Sequence, residues 1–130
     1  MGSILDIAQE NVPELEVAPE GEHQVMISRV VDRSGDAAYK SGREGYDVLM
    51  KVDVPNSKSL MHRVFKPMES DDEDKANNMK RGIKNFVQAF NIASEDTETW
   101  VGSTCWAVLG IENDAEYGDK NLVKRFLVKK

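Results

Sequence analysis

The sequence predicts a mainly β domain of five strands and one helix, with the helix between the third and fourth strands. Short runs of alternating, β-branched residues predict the strands, and one long amphipathic run predicts the helix. At 130 residues, of which 40% are hydrophobic, the chain can fill one core but not two. We therefore expect an acidic tail at residues 1–21 and a single domain at residues 22–130.

The first three strands are predicted where apolar and polar residues alternate. These stretches are HQVMISRVVDR, GYDVLMKVDV and SLMHRVF. In the second stretch Val48, Met50 and Val52 recur at every second position, which predicts that they share an inward face. A Gly- and Ser-rich loop at 34–45 joins the first two strands, and the turn PNSK joins the last two as a hairpin.

A single helix is predicted from Ser70 to about Asn91. Ser70 fits an N-cap with Glu73 three residues later, and Asp71 and Asp72 complement the helix dipole. The apolar stripe expected to face the core is Ala76, Met79, Ile83, Phe86, Val87 and Phe90. Two further strands are predicted in WVGSTCWAVLGIE and NLVKRFLVK, joined by a turn at 113–120.

This order of elements is that of the OB-fold, a small and partly open five-stranded barrel. We therefore predict an OB-fold-like barrel with one α-helix between strands 3 and 4, although other small α+β folds share the order. In OB-folds the ligand lies across strands 2 and 3, flanked by the loops that join strands 1 to 2 and 4 to 5. Those loops correspond here to 34–45 and 113–120.

The charge of the chain is unevenly distributed. The net charge is −6, and residues 1–22 hold six acidic residues and no Lys or Arg, which leaves 17 acidic and 17 basic residues in the body. We expect much of the acidic segment to be loosely held, with Ile4, Leu5 and Ile7 as a short helical anchor. A neutral body can still present a basic face to a polyanion.

The two loops and the strands between them combine cations with aromatic rings, as a single-stranded nucleic acid requires. A positive groove follows the phosphates while aromatic faces stack bases, at roughly 1–3 kcal/mol per stacked base. The candidate nucleic-acid-binding residues are Arg33, Tyr39, Lys40, Arg43, Tyr46, Lys51, Arg63, Trp106, Tyr117, Lys120 and Lys124.

Several of these side chains also admit a plain structural interpretation. Trp106 is either a stacking surface or a core residue, and the core is favoured because large aromatic residues usually pack inside. Tyr117 either stacks on a base or folds back over the barrel, and Lys51 and Arg63 are either ligand contacts or solvated charges. The residues predicted to be core aromatics are Phe65, Phe86, Phe90, Trp100 and Phe126.

The sequence carries no recognisable catalytic or metal-binding motif, so we predict a non-enzymatic protein without catalytic residues, metal site or cofactor. His23 and His62 are far apart and lack further ligands at metal spacing, and His62 is expected on the open face of strand 3. The single cysteine, Cys105, is expected to be a buried small hydrophobe in a reducing cytoplasm. Neither a membrane span nor a signal peptide is expected.

Three stretches of the chain resemble the small single-stranded-DNA-binding proteins that phages encode beside replication and recombination genes. They are PEGEHQVMI, RGIKNFVQAFNI and WVGSTCWAVLGIENDAEYGDKNLVKRFL, and the resemblance covers residues 19–128. It implies an OB-fold protein that coats and protects exposed DNA strands in the cytoplasm of the host cell. It also implies phage or host replication proteins as partners, and leaves a homo-oligomer open.

The acidic segment departs from what is common among single-stranded-DNA-binding proteins. Many of them recruit partners through an acidic C-terminal tail, whereas this chain ends in FLVKK and is acidic at its N-terminus. Either residues 1–22 take over that role or the role is absent. The alternative interpretation of the whole protein is a non-enzymatic interaction or structural module of a phage complex, which the net charge of −6 favours.

Overall fold

A computed structural model of the protein describes residues 3–11, 13–116 and 118–128. In chain order, its elements are α1 (Ile4–Ala8), β1 (Gly21–Arg33), β2 (Gly45–Val52), β3 (Leu60–Phe65), α2 (Glu73–Phe90), β4 (Thr104–Asp114) and β5 (Gly118–Leu127). Short 3₁₀ turns lie at Gly35–Ala37 and Thr97–Trp100. The predicted order of five strands, with one helix between the third and fourth, is confirmed.

The strands form one antiparallel sheet in the order β3-β2-β1-β4-β5. The sheet curls so that its edge strands, β3 and β5, approach each other, but no hydrogen-bonded ladder joins them in the described part of the chain. A cleft of about 500 Å³ separates them and is lined by Met61 and Arg63 on one side and by Lys120 and Leu122 on the other. We call this cleft the seam. The sheet is thus curled without being closed.

The hydrophobic core lies between α2 and the concave face of the sheet. Val48, Met50 and Val52 all face this core, as their alternation predicted. Phe86 from α2 lies at its centre, with ring centroids 5.0 Å from Phe90, 5.8 Å from Trp100 and 5.7 Å from Phe126. The predicted core roles of these four aromatic residues are therefore confirmed.

The helix α2 begins two residues later than the sequence predicted. Its N-cap is Asp72, whose carboxylate accepts a hydrogen bond from the Lys75 amide at 2.7 Å, and not Ser70. The preceding residue, Asp71, forms a separate turn by accepting a hydrogen bond from the Met68 amide at 2.7 Å. The predicted C-terminal end is confirmed, because Asn91 adopts a left-handed conformation and caps the helix.

Part of the predicted tail is fixed to the body at one end of the seam. The backbone of Glu16 pairs with the residues before β3: its amide donates to Asn56 O at 2.9 Å, and its carbonyl accepts from Lys58 N at 2.8 Å. Ala18 bonds instead to the buried Asn121 of β5, whose amide group accepts from Ala18 N at 2.8 Å and donates to Ala18 O at 2.9 Å. Residues 16–18 therefore bridge the two edge strands, whereas α1 buries none of its residues.

Two side chains of β3 face the opposite way from the prediction. His62 points into the core, where its ring centroid lies 5.0 Å from that of Phe126, and burial lowers the pKa of its imidazole. Phe65 points away from the core and packs edge-on against Tyr39 at 5.3 Å. The cause is the strand period, because Leu60 and Val64 occupy the buried phase that His62 shares.

Cys105 is buried, and that burial raises the pKa of its thiol to about 12. A thiol in this state is a packing group and a poor nucleophile at neutral pH.

Of the helices that the structure describes, none combines the length with the apolar character that crossing a bilayer demands.

Candidate nucleic-acid interface

The convex side of the sheet, opposite the core, is the outer face. On β1 this face is shaped by a bulge at Ser28, where the pairing with β2 shifts by one residue: Ile27 pairs with Met50, but Arg29 pairs with Leu49. Strict alternation from the buried Val25 and Ile27 would have turned Arg29 into the core. The bulge places it on the outer face, where it is exposed.

Sequence reasoning missed Arg29 for this reason. An arginine in the buried phase of an apolar strand is the one signal that could have revealed the bulge, because an unpaired charge does not enter a core. The bulge itself is held by the Ser28 hydroxyl, which donates to Leu49 O at 3.1 Å.

Three strands bring cations to the outer face: Arg29 from β1, Lys51 from β2 and Arg63 from β3. Lys51 and Arg63 were predicted to project there if Val48, Met50, Val52 and Val64 pointed inward, and all four valine and methionine side chains are buried. Neither Arg29 nor Lys51 forms an ion pair or side-chain hydrogen bond with any described residue. Lys40, in the loop between β1 and β2, is also exposed, and its side chain forms no ion pair or hydrogen bond with any described residue.

Next to these cations, Tyr39 organises an arginine–tyrosine cluster, which consists of Arg33, Tyr39, Asp47 and Arg63. The Tyr39 hydroxyl donates to Asp47 Oδ1 at 2.5 Å. The Cζ atoms of Arg33 and Arg63 lie 4.8 Å and 5.6 Å from the centroid of the Tyr39 ring. Burial, together with the hydrogen bond to Asp47, raises the pKa of Tyr39 to about 12, so the phenol keeps its proton at neutral pH.

Asp47 is shared by both arginines of the cluster. Its Oδ1 lies 3.5 Å from Arg63 Nε, and its Oδ2 lies 4.0 Å from Arg33 Nε. Arg33 Nε is buried and finds no hydrogen-bond partner among the described residues. One carboxylate thus faces two guanidinium groups, which leaves the cluster with a surplus positive charge.

Tyr39 is half-buried, and its ring contacts Phe65 as well as both guanidinium groups. It therefore does not stand free in the loop, as a stacking residue on a loop tip would. In this arrangement the ring of Tyr39 packs against Arg33 and Arg63, while its hydroxyl fixes Asp47, the carboxylate that both arginines face.

Two other predicted residues do not reach the outer face. Arg43 is turned toward the start of α2, where its guanidinium makes two hydrogen bonds to Asp71 and one to Lys66 O. Tyr46 lies on the core side of β2, and its ring centroid is 5.0 Å from that of Trp100. The donors of Arg43 and the ring of Tyr46 are thus already engaged inside the fold.

The hairpin between β4 and β5 is acidic. Lys120 lies 3.7 Å from Glu112 and 3.8 Å from Asp114, while Lys124 lies 3.9 Å from Glu20. Glu116 and Asp119 add further exposed negative charge at the hairpin tip. Both lysines are thus compensated by neighbouring carboxylates, and the hairpin repels a polyanion. Tyr117, predicted to stack on a base, lies outside the described residues.

Trp106 lies on the outer face and is 47% exposed, so the preference for a core role was wrong. Cys105, Ala107 and Leu109 take the inward phase of β4, and the alternation of the strand turns the indole outward. Its cross-strand neighbours are Gln24 on β1 and Leu127 on β5.

The geometry therefore brings some of the predicted residues together and separates others. Sharing the outer face and its adjoining loop are Arg33, Tyr39, Lys40, Lys51, Arg63 and Trp106. Over the described residues, no group of three or more His, Cys, Asp or Glu side chains is placed to hold a metal ion.

The chain was compared with models of known protein families and with curated protein sequences, and it matches neither a family model nor a curated protein.

Proposed function

We propose that this protein binds single-stranded DNA, with little regard to sequence, on the outer face of β1, β2 and β3. The observation that carries the proposal is that three neighbouring strands each turn a cation onto this face. Two of these cations, Arg29 and Lys51, have no carboxylate partner among the described residues, so their charge is available to phosphates.

Binding begins with the phosphate backbone. Arg29, Lys51 and Arg63 contact successive phosphates, while Lys40 approaches the strand from the loop between β1 and β2. Phe65 and the edge of Tyr39 supply apolar surface beside the arginine–tyrosine cluster. Contacts of this kind recognise the backbone and the ring faces of bases, which every sequence shares.

The architecture supports the same proposal. We regard the curled sheet as an OB-type barrel whose seam stays open, because the element order and the approach of β3 to β5 both fit that fold. Two of the three cationic strands, β2 and β3, are then those on which OB-folds carry their ligands.

The interface we propose is narrower than the one that the sequence predicted. It omits Arg43, Tyr46, Lys120 and Lys124, whose side chains are engaged elsewhere. It adds Arg29. Stacking by Tyr117 stays a prediction.

An oligonucleotide titration over a range of salt concentrations tests the proposal. We expect a fluorescein-labelled twelve-nucleotide oligo(dT) to bind with a log K that falls linearly with log salt, by about 0.7 for each phosphate contact. Four contacts would give a slope of about −3. No change in anisotropy at tens of micromolar protein and low salt would end the proposal.

A matched pair of triple variants locates the interface. Neutralising Arg29, Lys51 and Arg63 to Gln should weaken binding and reduce the slope by about 2. The control neutralises Lys80, Arg81 and Lys84 to Gln, which removes the same charge from the exposed side of α2. Equal losses in both triple variants would mean that net charge, and not the outer face, governs binding.

The cellular role follows from the resemblance and belongs to the proposal. We suggest that the protein coats exposed strands during phage replication or recombination in the host cytoplasm, where replication proteins are its further partners. DNA binding without chemistry suffices for this role, so no catalytic step is proposed.

The acidic hairpin favours a second candidate function, a protein-interaction module. Glu112, Asp114, Glu116 and Asp119 present a negative tip that suits a basic protein surface better than a nucleic acid. This candidate predicts a co-purifying partner that dissociates when Glu116 and Asp119 are changed to Lys. It also predicts that oligo(dT) causes no response.

A further inference from the structure

Trp106 is exposed on the face of β4 that does not pack against the core. Its indole is 47% exposed and makes no hydrogen bond or ring contact with another described residue. Trp100, by contrast, is 7% exposed, and its Nε1 donates to Ser94 O at 2.7 Å. An exposed tryptophan on a rigid strand offers a flat surface for stacking.

The surroundings of Trp106 connect it to the cationic part of the outer face. Gln24 is the cross-strand neighbour of Trp106, and Lys51, Met26 and Thr104 follow one another in the adjacent row across β2, β1 and β4. These four neighbours line a depression of about 280 Å³ together with Asp53, whose amide donates to Gln24 O and whose side chain adds one carboxylate to the lining. We call the depression and Trp106 together the tryptophan patch.

We infer that the tryptophan patch is a second subsite for the same DNA strand, in which a base stacks on Trp106 and Lys51 contacts an adjoining phosphate. This inference rests on the proposed function and deepens it, because it extends the path of the strand from β3 across β1 to β4. The patch is continuous with the proposed interface through Lys51, the one cation that belongs to both.

The spacing of the two subsites sets the length of DNA that fills them. From Asp47 in the arginine–tyrosine cluster, the row of Trp106 lies six residues along β2, or about 20 Å, and two strands across, or about 10 Å. The straight-line distance is therefore about 22 Å. A stacked strand that rises about 3.4 Å per nucleotide covers it in six or seven nucleotides.

A second copy of this chain is the main rival occupant of the patch. Met26, Trp106 and Val128 are partly exposed apolar residues that a homodimer could bury. Three such side chains fall far short of the roughly 800 Å² per partner that a stable interface covers. Polar groups of Gln24 and Thr104 and the carboxylate of Asp53 also line the depression, and such a lining suits a polar base better than an apolar dimer contact.

Iodide quenching of wild-type protein gives the first test. The chain has two tryptophans, and because Trp100 is buried, collisional quenching by iodide reports on Trp106. We expect a bound twelve-nucleotide oligo(dT) to shield Trp106 from iodide, whereas a three-nucleotide oligo(dT) is too short to span both subsites. Full iodide access to Trp106 with the longer oligonucleotide bound would overturn the inference.

The variant Trp106→Val gives the second test, since valine keeps the strand propensity and removes the ring. Loss of one stacked base should weaken the twelve-nucleotide complex roughly 5-fold to 150-fold. The control Val101→Thr alters an equally exposed apolar residue outside the sheet and should leave affinity unchanged. Unchanged affinity of Trp106→Val would overturn the inference.

These outcomes separate the inference from the proposed function. Salt-dependent binding that ignores Trp106 overturns only the second subsite, whereas no binding of any oligonucleotide overturns the function itself. Sedimentation velocity checks the rival: a wild-type dimer that Trp106→Val converts to a monomer would assign the patch to self-association. Since the iodide measurement uses wild-type protein, it decides the question even if the variant does not fold.

Discussion

The guanidinium of Arg43 holds the carboxylate of Asp71 in a two-pronged contact, with Nη1 to Oδ2 at 2.8 Å and Nη2 to Oδ1 at 2.7 Å. Asp71 is almost fully buried, with 3% of its side chain exposed, and it also accepts the Met68 amide. This contact joins the loop between β1 and β2 to the start of α2. Since the same loop carries Tyr39, the pair positions one side of the proposed interface.

We predict that Asp71→Asn lowers the free energy of unfolding and that the effect depends on pH. The Arg43 guanidinium and the Met68 amide hold the pKa of Asp71 far below its usual range. A depressed pKa stabilises the fold above the unfolded value of about 3.9, and this contribution is lost as the pH falls below that value. Urea denaturation between pH 7 and pH 2 should show a smaller acid-induced loss in the variant.

The control for this prediction is Asp74→Asn, which removes an exposed carboxylate from the first turn of α2. It should keep the acid-induced loss of the wild-type protein. If Arg43→Met mainly reduced the salt dependence of DNA binding while stability stayed unchanged, Arg43 would be a phosphate contact after all.

We predict that Asp47→Asn tightens DNA binding. The carboxylate of Asp47 neutralises part of the charge of Arg33 and Arg63, so its removal frees guanidinium charge for phosphates. The side-chain oxygen of the asparagine can still accept the hydrogen bond that the Tyr39 hydroxyl donates. Anisotropy titrations should give higher affinity and a salt slope that is steeper by about 0.7 for each new phosphate contact.

Glu98→Gln is the matched control, because it removes an exposed carboxylate of the 3₁₀ turn at Thr97–Trp100 that forms no ion pair with either arginine. An equal gain in both variants would mean that only net charge matters. Weaker binding by Asp47→Asn would instead make Asp47 necessary for holding the arginines in a productive geometry.

The sequence was sufficient for the element order because that order depends on local patterns. Alternation in β2 and the stripe of α2 each reflect which residues a regular element can bury, and Val48, Met50 and Phe86 are buried as predicted. The bulge at Ser28 is an exception to the alternation rule. One inserted residue exchanges the inward and outward positions of the strand residues that follow it, and so it brings Arg29 outward.

The candidate site was harder to predict because contacts with residues distant in sequence decide which of its side chains remain available to a ligand. Arg43 and Lys40 look alike in the loop, yet Asp71, 28 residues beyond Arg43, engages only one of them. Charge compensation between Lys124 and Glu20 likewise depends on tertiary contact. Composition indicates which side chains could bind DNA, and the fold decides which of them are free to do so.

We predict that Asn121→Ala releases the segment before β1. The Asn121 amide group is buried, bonds to both the NH and CO of Ala18, and also donates to Gly110 O at 3.2 Å. Leaving those buried groups unpaired should cost about 1–3 kcal/mol of unfolding free energy. Urea denaturation measures the loss, and hydrogen exchange should show faster exchange at Ala18.

Asn113→Ala serves as the comparison, because it removes an exposed hairpin contact to Asp119. We expect it to change stability by less than about 0.5 kcal/mol. Rapid exchange of the Ala18 amide in the wild-type protein would contradict the prediction, since it would mean that residues 16–18 are not held at the seam.

We predict that His62 makes the fold less stable below neutral pH. Its ring packs against the core rings of Phe86 and Phe126, and burial lowers the pKa of the imidazole. An unfolded histidine has a pKa of about 6.5, so the stability contributed by neutral His62 is present above that pH and is lost as the pH falls below it. This window lies above that of Asp71, which separates the two effects.

The measurement is urea denaturation at pH 7.5, 6.5 and 5.5, followed through the fluorescence of the buried Trp100. His62→Phe keeps a ring in the core but cannot take up a proton, so its stability should vary less over this range than that of the wild-type protein. His23→Gln alters a histidine outside the core and leaves His62 in place, so the loss of stability that His62 causes at lower pH should persist in this variant. If His62→Phe declined as steeply as the wild-type protein, protonation of His62 would not be the cause.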